Sequence, residues 1–261
     1  MEVTTRTDIG KVRPNNEDSL LVCPPRLFAI ADGMGGYNAG EVASKEALEE
    51  LKAYQGSFPA LRGEALDSRL HEMMRAANRR IYAMSLKEKD YEGMGTTLTG
   101  VYLTDPAADA ASSAIGEAHI FNIGDSRLYL LRQGRLEQIT RDHSFVEELV
   151  DKGEISREEA LTHPRRNMLT RGVGVEKEVA GDVFTRGLEQ DDLLLICSDG
   201  LSDMVRDEEM EAILLAHPLE AAADRLMEEA LERGGKDNIT FILVRIDGRI
   251  DEEKEGERHG R

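Results

Sequence analysis

Arg26-Leu-Phe-Ala-Ile-Ala-Asp32-Gly33-Met34-Gly35-Gly36 is the stretch that decides the fold. Its apolar run, Leu27 to Ala31, predicts a short buried strand. The run stops at Asp-Gly, and two more glycines follow. A carboxylate is thereby set at a strand end, beside a residue without Cβ that lets other atoms approach the backbone. The pattern returns far along the chain as Leu193-Leu-Leu-Ile-Cys-Ser-Asp199-Gly200. Weaker versions are Ile120-Phe-Asn-Ile-Gly-Asp125-Ser126 and Gly235-Lys-Asp237-Asn238-Ile-Thr-Phe-Ile-Leu-Val. Four aspartates thus stand at the ends of four predicted strands.

Taken singly, each Asp-Gly or Gly-Asp reads as a turn. Taken together they read differently. A turn accepts asparagine or glycine as readily as aspartate, whereas a hard divalent cation needs several carboxylate oxygens at one point. No Cys/His cluster offers softer ligands, so a metal bound here would be Mg²⁺ or Mn²⁺ and not structural zinc.

The composition bounds the possibilities. With 261 residues, 40% hydrophobic and 32% charged, the chain suits one large domain with a substantial core, or at most two small ones. A formal net charge of -18 disfavours nucleic acid and anionic membrane as partners. Cys23 and Cys197 are the two cysteines; both border apolar runs and read as small buried hydrophobes. That usage fits a reducing, cytoplasmic compartment. The first residues lack the apolar core of a signal peptide. No apolar run approaches the ~18 residues of a membrane span.

In chain order, strands are predicted at 3–8, 19–22 and 27–31. Between the first two lies the loop Arg13-Pro-Asn-Asn-Glu17-Asp18. A helix from Ala39 carries Val42, Ala43, Ala47, Leu48, Leu51 and Tyr54 at helical spacing. A longer one carries Leu66, Leu70, Met73, Met74, Ala77, Ile81 and Met84. Strands follow at 98–103, 118–123, 127–131 and 136–140, an antiparallel meander interrupted by an exposed extension at 104–116. Residues 142–174 change character: two short helical pieces, 145–150 and 156–161, precede the cationic run His163-Pro-Arg165-Arg166-Asn-Met-Leu-Thr-Arg171-Gly172. Ser156 and Glu159 make a capping box. This region reads as a solvated loop or as a flap facing an anionic or peptide substrate, with Arg165 and Arg166 as candidate contacts. Strands at 179–184 and 193–197, helices at 207–215 and 218–233, and a last strand at 240–246 complete the domain. The charged tail 247–261 is expected to be disordered. An α+β fold, a four-layer αββα sandwich of two antiparallel sheets flanked by helix pairs, accommodates this order.

Two octahedral cations ~3.5–4 Å apart, sharing a carboxylate and a water, make a recurrent machine for cleaving phosphate esters. The bridging water loses a proton readily and attacks phosphorus in line. Asp32 suits the bridge, since Gly33 can add its backbone carbonyl. Asp199 and Asp237 would complete the first metal, and Asp125 could join Asp199 around a third, weaker ion. Arg13 could hold the phosphate; its ordinary reading is a surface arginine. Glu17 and Asp18 could support the second metal through water or order the Arg13 loop. So many neighbouring carboxylates would need cations to stay ionised.

Six motifs in order resemble the metal-dependent protein phosphatases, the PPM or type 2C serine/threonine phosphatase family, in its short bacterial form. They are Arg13-Pro-Asn-Asn-Glu17-Asp18, Asp32-Gly-Met-Gly-Gly36, Gly93-Met-Gly-Thr-Thr97, Gly124-Asp125-Ser-Arg127, Cys197-Ser-Asp199-Gly-Leu201 and Asp237-Asn238-Ile-Thr240. The resemblance spans about residues 4–246. It implies a β-sandwich flanked by helix pairs and a Mn²⁺- or Mg²⁺-dependent phosphatase acting on phosphoserine and phosphothreonine. Hydrolysis would be direct, by a metal-bridging water or hydroxide, without a phosphoenzyme. By position, Asp32, Asp199 and Asp237 correspond to ligands of the first metal. Asp32 and the Gly33 carbonyl correspond to the second, with Glu17 nearby through water, and Asp125 with Asp199 to the third. Arg13 corresponds to the phosphate contact and residues 142–174 to the flap.

One position departs from the family's animal branch, where a histidine proposed as proton donor follows the Asp-Gly. Here it is Met34, which leaves a metal-bound water as the expected donor and His143 and His163 as flap candidates with a structural role expected for both. The resemblance further implies phosphoprotein partners, among them an opposing Ser/Thr protein kinase, and a monomer is expected. Two other functions fit the same residues: a non-catalytic pseudophosphatase that binds phosphoproteins, and a small-molecule phosphomonoesterase. Loss of a metal aspartate would favour the first, and none is lost.

Overall fold

The computed structural model describes residues 1–35, 39–59, 61–106, 114–248 and 250. The chain opens with strands β1 (Glu2–Asp8), β2 (Asp18–Cys23) and β3 (Leu27–Met34), then helices α1 (Ala39–Tyr54) and α2 (Gly63–Ser85). A two-residue strand β4 (Gly95–Thr96) precedes β5 (Leu98–Thr104), β6 (Gly116–Ile123), β7 (Arg127–Arg132) and β8 (Arg135–Gln138). Short helices α3 (Phe145–Asp151) and α4 (Arg157–Thr162) lead to β9 (Asp182–Leu188) and β10 (Leu193–Cys197). The one-turn α5 (Asp199–Ser202), then α6 (Asp207–Ala216), α7 (Leu219–Glu232) and β11 (Ile239–Arg245), complete the order.

One sheet runs β1-β11-β10-β7-β8, the other β2-β3-β5-β6-β9, with β4 paired to β3. Neighbours pair antiparallel throughout. The alternation of side chains along each strand builds the layers. On β3, Phe28 and Ile30 face the space between the sheets, where they meet Leu194 and Ile196 of β10 and Ile242 and Val244 of β11. Leu27, Ala29 and Ala31 face the other way, under Ala43, Ala47 and Leu51 of α1 and Leu70, Met73 and Ala77 of α2. Leu195, Phe241 and Leu243 likewise lie under Met210, Leu214 and Leu226 of α6 and α7. Burial on both faces explains why these strands read as continuous apolar runs. The four-layer αββα sandwich expected from the sequence is the observed fold.

Differences from expectation sit where periodicity is weak. The strand expected at 179–184 is β9, Asp182–Leu188. It is the edge of its sheet, and its exposed Thr185, Arg186 and Gly187 carry no apolar signal. Cys197 is buried as expected, but Cys23 ends β2 half-buried. The capping box forms, with Ser156 N–H donating to Glu159 Oε2 at 2.7 Å and Glu159 N–H donating to Ser156 Oγ at 3.2 Å. Gly36, most of the 104–116 extension and residues 251–261 of the expected tail lie outside the described residues. Ile250 packs into the layer between the sheets.

The layer between the sheets is the part most sensitive to truncation. Ile196→Ala should destabilise the protein by about 2–5 kcal/mol, since both sheets limit collapse of the cavity. Urea unfolding measures this, and Ile213→Ala at the half-buried edge of the α6–α7 layer should cost less.

Candidate active site

At one end of the sandwich the two sheets bring polar residues together. Phe28, Ile30 and Asp32 fall on one face of β3, so Asp32 continues the row that faces the opposite sheet. Asp18 on β2 is its direct partner across the ladder. Like charges placed opposite each other are unfavourable in a sheet. Asp199 enters from the opposite sheet, just beyond β10, and Asp237 stands just before β11. The Ser198 hydroxyl bridges the layers by donating to Asp18 Oδ2 at 2.8 Å.

Backbone contacts fix the centre. Asp32 N–H donates to Thr97 Oγ1 at 2.9 Å. The Asp32 carbonyl accepts from Thr96 Oγ1 at 2.8 Å and from Thr97 N–H at 2.9 Å. Gly33 is required by close approach: a Cβ there would lie 2.1 Å from the Gly40 carbonyl oxygen and 2.6 Å from that of Glu17. Asn238 holds the loop between β1 and β2. Its Oδ1 accepts from Glu17 N–H at 2.8 Å, and its Nδ2 donates to the carbonyls of Ile9 and Asn15, both at 2.9 Å. That loop delivers Arg13, whose Nη2 pairs with Asp237 Oδ2 at 2.5 Å.

Arg13, Glu17, Asp32, Gly33, Asp125, Asp199 and Asp237 all line one pocket of about 520 Å³. Burial and mutual repulsion push the carboxyls of Glu17, Asp32, Asp125 and Asp199 up. Burial raises Asp32 well above the usual carboxylate range, reinforced by Asp18, Asp199, Asp125 and Asp237. Asp199 is raised the same way, by burial and then by Asp125, Asp203 and Asp237. Burial takes Asp125 to about 7, helped by Asp142, and Asp18 to about 6. Glu17 is also raised, mainly by burial. Asp18 Oδ1 and Asp199 Oδ1 are buried without a hydrogen-bond partner among the described residues. Orphaned carboxylate oxygens among mutually repelling acids are the donor set a hard cation satisfies. Among the described residues, no three His, Cys, Asp or Glu side chains form a group able to hold an ion by themselves. Arg13 occupies one oxygen of Asp237, and Mg²⁺-like ions fill much of their coordination sphere with water.

The two flap arginines singled out in the sequence do not line this pocket. Arg165 stacks over the Phe145 ring at 4.0 Å, and Arg166 pairs with Asp203 at 3.0 Å. Arg171 is the flap arginine that lines it. Its Nη1 lies 3.1 Å from Asp182 Oδ1 and 3.2 Å from His143 Nε2. Nothing in the local sequence separates Arg171 from its neighbours; the turn of the chain does. His143 is buried, its Nδ1 accepting from Gly124 N–H at 3.2 Å, and burial lowers its pKa. His163 Nδ1 accepts from Arg165 N–H at 3.1 Å. Both histidines organise the backbone, and neither lines the pocket. Arg127, predicted only as part of a motif, anchors the start of the flap through bonds of 3.0, 3.0 and 2.7 Å to the Asp142 carboxylate.

A family model described as protein phosphatase 2C matches residues 15–240. The chain belongs to the protein phosphatase 2C family. It is 42% identical over 253 residues to the serine/threonine phosphatase stp of Listeria monocytogenes, covering 95% of this chain and 96% of that protein. The crystal structure of the Mycobacterium tuberculosis serine/threonine phosphatase PstP/Ppp is 41% identical and superimposes with a TM-score of 0.83, covering 94% and 98% of the two chains. The catalytic domain of PstP in complex with two manganese ions matches with a TM-score of 0.79 at 40% identity, covering 94% of this chain and 98% of that one. The protein is accordingly a serine/threonine phosphatase by family, and among the described residues no helix is long and apolar enough to cross a membrane.

Two outcomes test the electrostatics and the scaffold. In chelator, Asp125→Asn should raise Tm at pH 8, where the native carboxyl is ionised in an unfavourable place. The gain should shrink as pH falls below the folded pKa of about 7 and vanish only below the ordinary value of 3.8, where the carboxyl is neutral in the folded and the unfolded chain alike. An equal gain at pH 8 and near pH 5 would contradict this origin. Asn238→Ala should cost about 1–3 kcal/mol in urea unfolding and speed tryptic cleavage after Lys11, because it frees the loop.

Proposed function

We propose that the phosphatase hydrolyses phosphoserine and phosphothreonine in proteins by direct attack of water, with Mn²⁺ or Mg²⁺ held at the carboxylate pocket. The observation that carries this reading is the convergence of Asp32, Asp125, Asp199 and Asp237 on one pocket with Arg13 at its mouth. When bound, such cations lower the pKa of water to generate the nucleophile and neutralise charge on the phosphoryl oxygens. Asp32, Asp199 and Asp237 would hold the first ion; Asp32 and the Gly33 carbonyl would hold the second, with Glu17 acting through water. Asp125 with Asp199 would hold a third, weaker one. The relative crystallised with two manganese ions supports the main pair.

The chain's own residues then orient the substrate. Arg13, with its side chain 49% exposed, presents the cation that a phosphoryl dianion meets first. Asn238 keeps that guanidinium over the carboxylates by pinning its loop. Thr96 and Thr97 hold Asp32 still while charge develops nearby. No histidine lines the pocket among the described residues, so the leaving alkoxide takes its proton from pocket water. Residues 1–246 act as one catalytic domain with 142–174 as its flap. A cytoplasmic monomer opposing a Ser/Thr protein kinase is the setting we infer.

Hydrolysis of a phosphothreonine peptide and of an aryl phosphate, with Mn²⁺, with Mg²⁺ and with chelator, tests the proposal. Release should depend on the metal, and Asp32→Ala should lower kcat/KM by at least about 10³-fold on both substrates. Metal binding without any release would leave a phosphoprotein-binding module. Release from the aryl ester alone would leave a small-molecule phosphatase.

A further inference from the structure

Asn78 lies on α2, outside every motif, and is 1% exposed. Asparagine is a poor choice inside a helix, and a buried amide is costly unless its hydrogen bonds are made. Here they go to one segment. Asn78 Oδ1 accepts from Gly174 N–H at 2.7 Å, and Nδ2 donates to the carbonyls of Glu176 at 3.0 Å and Lys177 at 3.1 Å. One turn on, Ile81 presses on the same segment: a Cβ at Gly174, whose φ is +86°, would lie 2.2 Å from Ile81 Cγ2. On the other side, Val173 pairs with Thr96 through hydrogen bonds of 3.0 and 2.8 Å. The returning limb of the flap is thus clamped by its backbone between α2 and the strand end that fixes Asp32.

The clamp takes hold of the backbone and leaves residues 175–178 exposed, while Val179 packs half-buried against the helix layer. Val175 is 52% exposed, and Val175, Glu176, Glu178 and Val179 line the same pocket as Asp32 and Arg13. We propose that Asn78 is a positioning residue for substrate choice, fixing limb 174–177 as the wall against which the peptide flanking the phosphorylated residue lies. This rests on the protein phosphatase reading. Asn78 touches neither the carboxylates nor Arg13 in any hydrogen bond, so it acts on the wall and through it on the substrate. A small aryl phosphate reaches the carboxylates without using the wall; a phosphopeptide does not.

The test compares kcat and KM for a phosphothreonine peptide and an aryl phosphate on the Mn²⁺-loaded enzyme. In Asn78→Ala the peptide-to-aryl ratio of kcat/KM should fall about tenfold, through peptide KM and not kcat. Asn78→Asp keeps an acceptor for Gly174 N–H but sets a buried oxygen against two carbonyls, so the ratio should fall at least as far as in Asn78→Ala. An unchanged ratio overturns the proposal, and so does a parallel fall on both substrates. If Asn78→Ala does not fold by circular dichroism, Val175→Asp, at an exposed position, decides on the same ratio. A wild-type enzyme that releases phosphate from neither substrate overturns the phosphatase reading itself, and this proposal with it.

Discussion

Mutual repulsion among half-buried carboxylates is the constraint on which this structure depends. Asp18 and Asp32 stand opposite each other on paired strands, Asp199 and Asp237 close in from the other sheet, and Asp125 from the turn between β6 and β7 that joins the two. Nothing in the local chain favours this. Burial and like charge both oppose ionisation, and two carboxylate oxygens are left without a hydrogen bond among the described residues. The arrangement persists because the layers behind it are closely packed. Phe28, Ile30, Ile196 and Ile242 fill the space between the sheets and fix where the strands end. The core supplies the stability, and the pocket spends part of it.

The same logic explains the polar network around the pocket. Asn238, Ser198, Thr97 and Arg127 each tie one strand end or loop to another with short hydrogen bonds. Buried groups of this kind are worth keeping only when nearly every donor and acceptor is matched. Asn238 and Thr97 are matched to the backbone, Ser198 to the Asp18 carboxylate and Arg127 to that of Asp142. The acids are held around one volume, where a cation would relieve the field that the fold creates.

The flap is attached by both of its ends and by different chemistry at each. Its outgoing end is an ion pair, Arg127 with Asp142; its returning end is an amide clamp, Asn78 with residues 174–177. Between them, Arg165 and Arg166 are engaged with Phe145 and Asp203, which leaves Arg171 as the flap's cation at the pocket, beside Arg13. Cationic composition alone gave no means to tell these roles apart, because all three arginines sit in one polar run.

The sequence by itself determined the layers. Strands buried on both faces read as unbroken apolar runs, helices with one apolar stripe read at their own period, and Asp-Gly marked the ends of the central strands. Those signals are local, so they survive without any knowledge of partners. Edge strand β9 was misplaced because an edge strand with a polar face carries little of that signal. The carboxylates that meet in the pocket were legible as well, through the repetition of one motif. What only the tertiary structure decided is which side chains reach across: the Asp18–Asp32 opposition, the Asn238 and Asn78 clamps, and the choice of Arg171 over Arg165 and Arg166. Each depends on segments distant in sequence meeting at angstrom precision, and a hydrogen bond leaves no periodicity in the chain that makes it.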